Sequence, residues 1–190
     1  MFNNYKIILA SGSPRRKELL EKMDIAFEQT SLDIDESFPK ELPANEVAEY
    51  LAVEKSMAFR DLTEKEILIT ADTTVIHQNN VLNKAADKAE AREMLERLSG
   101  SEHEVVSGVC VRTRDKKISF SSTTGVKFHK LTDAEIEHYI ERYEPFDKAG
   151  AYGIQEWIGL IGIEEIEGSY FTVMGLPTFD LYRALKEITS

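Results

Sequence analysis

The residues of this chain best equipped for chemistry lie in separated stretches. LASGSPRRKELLEKM at 9–23 places Ser11, Gly12, Ser13 and the guanidinium pair Arg15 and Arg16 between an apolar run and an amphipathic helix. YKIIL before it reads as a short buried strand, with Ser13 as N-cap and Pro14 as first helical residue. A strand-to-helix junction collects unpaired N–H groups and the positive end of a helix dipole, so it binds anions. Planar guanidinium forks suit phosphate oxygens. The same residues also make an ordinary capped helix with solvated arginines.

Further candidates recur along the chain. In PANEVAEYLAVEKSMAFRDL, Lys55 stands in the apolar stripe of Ala48, Leu51, Ala52 and Phe59. An inward lysine needs an anion, phosphate or carboxylate, unless its head snorkels to water. EILITADTTVIH is apolar up to Asp72, Thr73 and Thr74, and functional groups gather beyond the carboxyl ends of strands. Asp72 there suits proton transfer or metal binding, and equally a turn cap. LDIDESF offers Asp33, Asp35 and Glu36 as a second carboxylate for a hard divalent ion such as Mg²⁺, or as a solvated loop. YEPFDKAGAYGIQEW carries Gly150 and Gly153, with Asp147, Lys148 and Gln155 as its polar groups. Its glycines permit close approach of a ligand or a tight turn, and the Gln155 amide offers both donor and acceptor to a base edge.

These residues need elements to hold them. Helical periodicity predicts helices after the first at about 44–61, 87–98, 132–143 and 177–188, with Asp87, Thr132 and Pro177 at their starts and Gly100 after the second. Strand-like runs fall near 5–10, 25–30, 66–71, 73–77, 103–113, 117–128 and 160–166, and RDKK at 114–117 makes 103–128 a long hairpin. Strands alternating with helices, then a hairpin followed by helices, indicate an α/β fold around a mixed, twisted sheet. With 190 residues and no linker or repeat, one domain is expected, spanning 1–190.

The net charge of −11 argues against a nonspecific nucleic-acid binder, since such proteins present broad basic faces, while a small phosphorylated substrate needs only a local basic pocket. The single cysteine, Cys110, lies in a strand-like run and has no disulfide partner in the chain. No signal-peptide pattern or membrane-length apolar run is present, so a cytoplasmic protein without membrane contact is expected. His77, His103, His129 and His138 lack the paired spacing of a zinc site, and GxxxxGK[ST], GxGxxG and GxSxG do not occur.

As an ordered set, ASGSPRR at 10–16, Glu36, Lys55, ADTT at 71–74, Lys84, SGV at 107–109, FDKAGAYGIQ at 146–155 and GLP at 175–177 resemble the Maf family of nucleoside triphosphate pyrophosphatases, also described as septum-formation inhibitors. The resemblance runs from residue 7 nearly to the end. It implies a long mixed sheet with flanking helices and a cleft between two lobes, as in inosine triphosphate pyrophosphatases. It implies hydrolysis between the α and β phosphates with a divalent cation, Mg²⁺ or else Mn²⁺ or Co²⁺, held by Glu36 and Asp72. Asp72 matches the family's proton acceptor, and Lys55, Glu36 and Lys84 join it as catalytic candidates. Ser11, Ser13, Arg15, Arg16, Thr73 and Gln155 are the substrate-binding candidates. Arg15, Thr73 and Gln155 match the branch preferring dTTP and UTP rather than the 7-methyl-GTP branch, which is the nearest alternative. The family's usual GKP appears here as Asn83, Lys84 and Ala85, keeping the lysine but changing its neighbours. A homodimer fits the resemblance, and a nucleotide-binding regulator of cell division with incidental hydrolysis is the reading from another functional class.

Overall fold

The structure, a computed structural model, describes residues 2, 4–32 and 34–190. The chain forms β1 (Lys6–Ala10), α1 (Pro14–Lys22), β2 (Phe27–Thr30), a 3-10 turn at Ala44–Glu46 that leads into α2 (Val47–Ala58), β3 (Glu66–His77), β4 (Asn80–Leu82) and α3 (Lys88–Leu98). There follow β5 (Glu102–Arg112), β6 (Lys117–Phe128), α4 (Asp133–Tyr143), a 3-10 turn at Pro145–Asp147, α5 (Trp157–Gly162), β7 (Ile163–Glu167), α6 (Tyr170–Met174) and α7 (Thr178–Ile188). Seven strands make one mixed sheet in the order β2-β1-β3-β5-β6-β7, with β4 paired to β3. β1 is parallel to both β2 and β3, while β4 and β7 pair antiparallel. The mixed sheet with flanking helices is the α/β architecture expected.

The chain divides into two compact units, the first Met1–Asp72, Ser107–Ser122 and Gly175–Ser190, the second Thr73–Val106 and Thr123–Met174. In the first, β1 and the start of β3 are continuous apolar runs because strands of a parallel sheet are buried on both faces. Ile7, Leu9, Ile67, Leu68 and Ile69 are all buried, together with Leu19, Leu20, Leu51 and Leu185 from the helices. Gly108 on β5 lets α2 lie directly on the sheet: a Cβ there would sit 2.3 Å from both the Ala48 carbonyl carbon and the Glu49 nitrogen. At the start of β3, Arg60 grips Glu66 through two hydrogen bonds of 2.9 and 2.7 Å. The bond from Arg60, followed by one from the Thr63 N–H, holds the Glu66 carboxyl down to about 2.

The second unit packs α3 and α4 around Leu95, Leu98, Ile136 and Tyr139, with His103, Phe128 and Tyr152 forming an aromatic cluster. Its helices start where their caps dictate. Asp87 accepts from the Glu90 N–H at 2.9 Å, and Thr132 and Glu135 form a reciprocal capping box.

Several sequence expectations need correction. The runs 66–71 and 73–77 are one strand, β3, that passes through Asp72 without a break. Asp72 therefore does not follow a strand; it lies beyond the end of the neighbouring β1, whose pairing with β3 runs from Lys6–Glu66 to Leu9–Ile69. The helix expected over 44–61 is a 3-10 turn followed by α2, which ends at Ala58, so Phe59 lies just past it. The run 160–166 splits between α5 and β7. Cys110 is buried, and burial pushes its thiol up. Among the described residues, no helix is long and apolar enough to cross a membrane.

Candidate active site

The strand-to-helix junction forms as its residues suggest. β1 ends at Ala10 and α1 begins at Pro14, with Ser13 as N-cap accepting from the Arg16 N–H at 3.5 Å. Ser11 Oγ accepts from the Ser13 N–H at 3.3 Å and from Arg16 Nη1 at 3.2 Å, while its carbonyl accepts from Gln29 Nε2 at 2.8 Å. Arg16 Nε donates to the Gly175 carbonyl at 2.9 Å. The Arg16 guanidinium is thus locked to the loop and to the start of the GLP motif, where Gly175 adopts φ +107°. Burial lowers its pKa, the nearby Asp72 carboxylate opposes that, Arg15 lowers it further and Glu36 raises it. Those four charged groups therefore share one electrostatic neighbourhood in the first unit. Arg15 itself is half-buried in the first turn of α1.

Periodicity explains how Lys55 meets Asp72. Thr70 on β3 donates to the Ala52 carbonyl of α2 at 2.6 Å, so that face of the strand looks onto the helix. Two residues along the strand, Asp72 returns to the same face, and three residues along the helix, Lys55 points to meet it. Lys55 Nζ lies 2.6 Å from Asp72 Oδ1 and 2.7 Å from Glu36 Oε1. The Lys55 side chain is 10% exposed and that of Asp72 12%, against 42% for Glu36. Lys55 does not snorkel; it ends between two carboxylates. Asp35 turns back to cap Ser37, accepting from its N–H and hydroxyl at 3.0 Å each, which leaves Glu36 as the acid of that run that reaches the lysine. Asp33 lies outside the described residues.

Glu36 and Asp72 fit one kind of metal centre. Among the described residues, no group of three or more His, Cys, Asp or Glu could hold a metal ion by itself, which disfavours a closed, protein-only site. Two carboxylates do suit a hard divalent ion that completes its shell with water and substrate phosphate.

Of the remaining candidates, Thr73 follows Asp72 on β3, on the opposite face of the strand. Lys84 and Gln155 belong to the second unit. Lys84 pairs through its backbone with Ala149, and the Gly150 N–H donates to Leu82 O at 3.1 Å and Asn83 O at 3.2 Å, so the altered NKA segment is laced to the FDKAG loop. Gly150 adopts φ +66° there, with a Cβ position only 3.0 Å from Val75 Cγ1. Gln155 is exposed and lines a pocket of about 340 Å³ with Ile154, Leu160, Ile163, Ile166 and Tyr170.

Sequence reasoning missed the supporting groups Gln29, Thr70 and the Gly175 carbonyl. For Gln29 the available signal was a polar residue on a short strand adjacent to β1. A backbone carbonyl acceptor such as that of Gly175 leaves no residue signature.

The mixed sheet with its flanking helices, and the Lys55 ammonium held between Glu36 and Asp72, define an α/β protein with a cation–carboxylate cluster in its first unit. The chain belongs to the Maf-like protein family, whose pattern matches residues 6–188. It is 47% identical over 188 residues to a dTTP/UTP pyrophosphatase of Bacteroides fragilis, covering 98% of this chain and 97% of that protein. It is 50% identical over 184 residues to the dTTP/UTP pyrophosphatase of Parabacteroides distasonis (96% of this chain, 95% of that one). The protein of that name from Flavobacterium psychrophilum is also 50% identical, over 182 residues (95% and 93%). Among solved structures, the Staphylococcus aureus Ham1 protein aligns with TM-score 0.52 at 13% identity, covering 97% of this chain and 100% of that one. A HAM1 protein from Coxiella burnetii aligns with TM-score 0.51 at 14% identity (96% and 99%), and both likenesses speak to the fold.

Proposed function

We propose that this chain, acting as one domain over 1–190, is a nucleoside triphosphate pyrophosphatase that converts dTTP and UTP to the monophosphate and pyrophosphate. The observation that carries this reading is the Lys55 ammonium held between Glu36 and Asp72 in the same charged neighbourhood as Arg16 and the α1 N-terminus. Relatives 47–50% identical over nearly the whole chain, named for that activity, support the choice of substrate. In this reading the loop amides at Ser11–Ser13, with Arg15, Arg16, Lys55 and Lys84, offset the triphosphate's charge and stabilise the departing pyrophosphate. Asp72 orients the attacking water in line with the α phosphorus and takes its proton. Gln155 reads the base edge, with Arg15 and Thr73 shaping the choice. A divalent cation held by Glu36 and Asp72 supplies positive charge to the phosphate oxygens when bound. Lysine, arginine and carboxylate together suit phosphoanhydride cleavage better than binding alone.

The test is a nucleotide panel run with Mg²⁺, Mn²⁺ and Co²⁺, with each product identified. UMP plus pyrophosphate from UTP and TMP plus pyrophosphate from dTTP are expected. Orthophosphate release, or strong 7-methyl-GTP turnover with none on dTTP, would overturn the reading.

A further inference from the structure

The FDKAGAYGIQEW loop contains a buried ammonium that the proposed chemistry does not use. The Lys148 side chain is 9% exposed, and its Nζ lies 2.7 Å from Asp147 Oδ1 and 3.2 Å from Glu156 Oε1. The other oxygen of Glu156 accepts a hydrogen bond from the Tyr139 hydroxyl. That hydroxyl in turn accepts from the backbone N–H of Gly153 at 3.0 Å. Tyr139 is a fully buried residue of α4. Lys148, Glu156, Tyr139 and Gly153 thus form one chain of polar contacts that grips both ends of the turn from 153 to 156, itself closed by the Glu156 N–H donating to the Gly153 carbonyl at 3.0 Å. Gln155 rides on that turn. A Cβ on Gly153 would come within 2.9 Å of both Gln155 Nε2 and Glu156 Cδ, so the glycine is the floor on which these two side chains rest.

A buried ion pair of this kind adds little net stability, because desolvation offsets its attraction. Its effect is to fix geometry. Uracil and thymine offer a carbonyl acceptor beside an N–H donor, and cytosine offers an amino donor beside a ring-nitrogen acceptor. A glutamine amide turned end for end exchanges its own donor and acceptor, so a side chain free to turn reads both kinds of base, and one held against its turn favours a single kind.

We infer that Tyr139 and Glu156, anchored by Lys148, are positioning residues that hold the Gln155 amide and so set discrimination between pyrimidine bases. The inference rests on the base-reading role proposed for Gln155.

Steady-state kinetics on UTP and CTP with wild type, Tyr139→Phe, Glu156→Ala, Glu156→Gln and Gln155→Ala test it. In Tyr139→Phe and Glu156→Ala the UTP-over-CTP ratio of kcat/KM is expected to fall about tenfold, the net worth of one hydrogen bond, with the loss on KM for UTP rather than on kcat. Glu156→Gln, which keeps an acceptor for the Tyr139 hydroxyl, is expected to recover most of the ratio. A ratio lowered by Gln155→Ala but kept at the wild-type value by Tyr139→Phe and Glu156→Ala would overturn the inference and leave the role of Gln155 standing. A ratio indifferent to Gln155→Ala would remove that role, and the inference with it. Equal kcat losses on both nucleotides would make the network merely structural, which also overturns it. Should Glu156→Ala fail to fold, Tyr139→Phe decides, since it deletes a single oxygen.

Discussion

Lys55 holds the charge balance of the first unit's site, because it is the cation facing two carboxylates at 2.6 and 2.7 Å. Asp72→Asn keeps the volume and removes the proposed proton acceptor, so turnover is expected to fall by roughly 10³-fold or more while circular dichroism and melting temperature stay close to wild type. Lys55→Ala is expected to lower kcat/KM by about 10²-fold, against no measurable change for the exposed Lys65→Ala. If Lys55→Ala lowers the melting temperature while kinetics hold, its role is structural. Both residues were legible in the sequence because each breaks an apolar pattern, Lys55 on a helix stripe and Asp72 after ILITA. Their pairing was not, since it depends on Thr70 tying β3 to α2. Arg16 was legible as a cation, but its engagement with the Gly175 carbonyl could not be read from residue types.

At the scale of elements, caps were the most readable feature: Ser13, Asp87 and Thr132 each sit at the helix start that their side chains predict. Apolar runs without clear periodicity were the least readable. Residues 160–162 of the run expected as strand instead end α5, where Gly159 lies so close to Ile154 that a Cβ there would sit 1.9 Å from its carbonyl oxygen. The short β4 and α6 had too few residues to show a period. Gly108 within SGV is the contact that sets how closely α2 approaches the sheet. Gly108→Ala pushes a methyl into helix backbone, which cannot move aside as a side chain can, and is expected to destabilise by about 3 kcal/mol in urea unfolding. Displacing α2 also withdraws Lys55, so activity measured on the remaining folded fraction is expected to fall with it.

For the whole molecule, pH dependence of stability includes a term from His103. Burial, with a smaller contribution from the neighbouring His77, pushes its imidazole down to about 3. A folded-state value below the ordinary one means the unfolded chain takes up a proton first, so this contribution is present above about pH 6.5 and is lost as pH falls toward about 3. Between about pH 6 and pH 5, the wild type is expected to lose up to ~1.4 kcal/mol per pH unit more than His103→Phe, measured by chemical denaturation at each pH. Equal slopes would show that the ring gains a proton in the fold. The sheet's outer strand β7 carries another molecule-wide consequence. It ends the strand order, and its sequence IEEIE presents the exposed Glu165 and Glu167, while Glu164 pairs with Lys127 at 3.3 Å and His129 at 2.9 Å. A foreign segment trying to zip onto that last strand must lay its backbone beside these carboxylates, and two such borders repel each other. Crowded solutions near neutrality should therefore stay clear, and acidification that discharges those glutamates removes the guard against fibrous stacking.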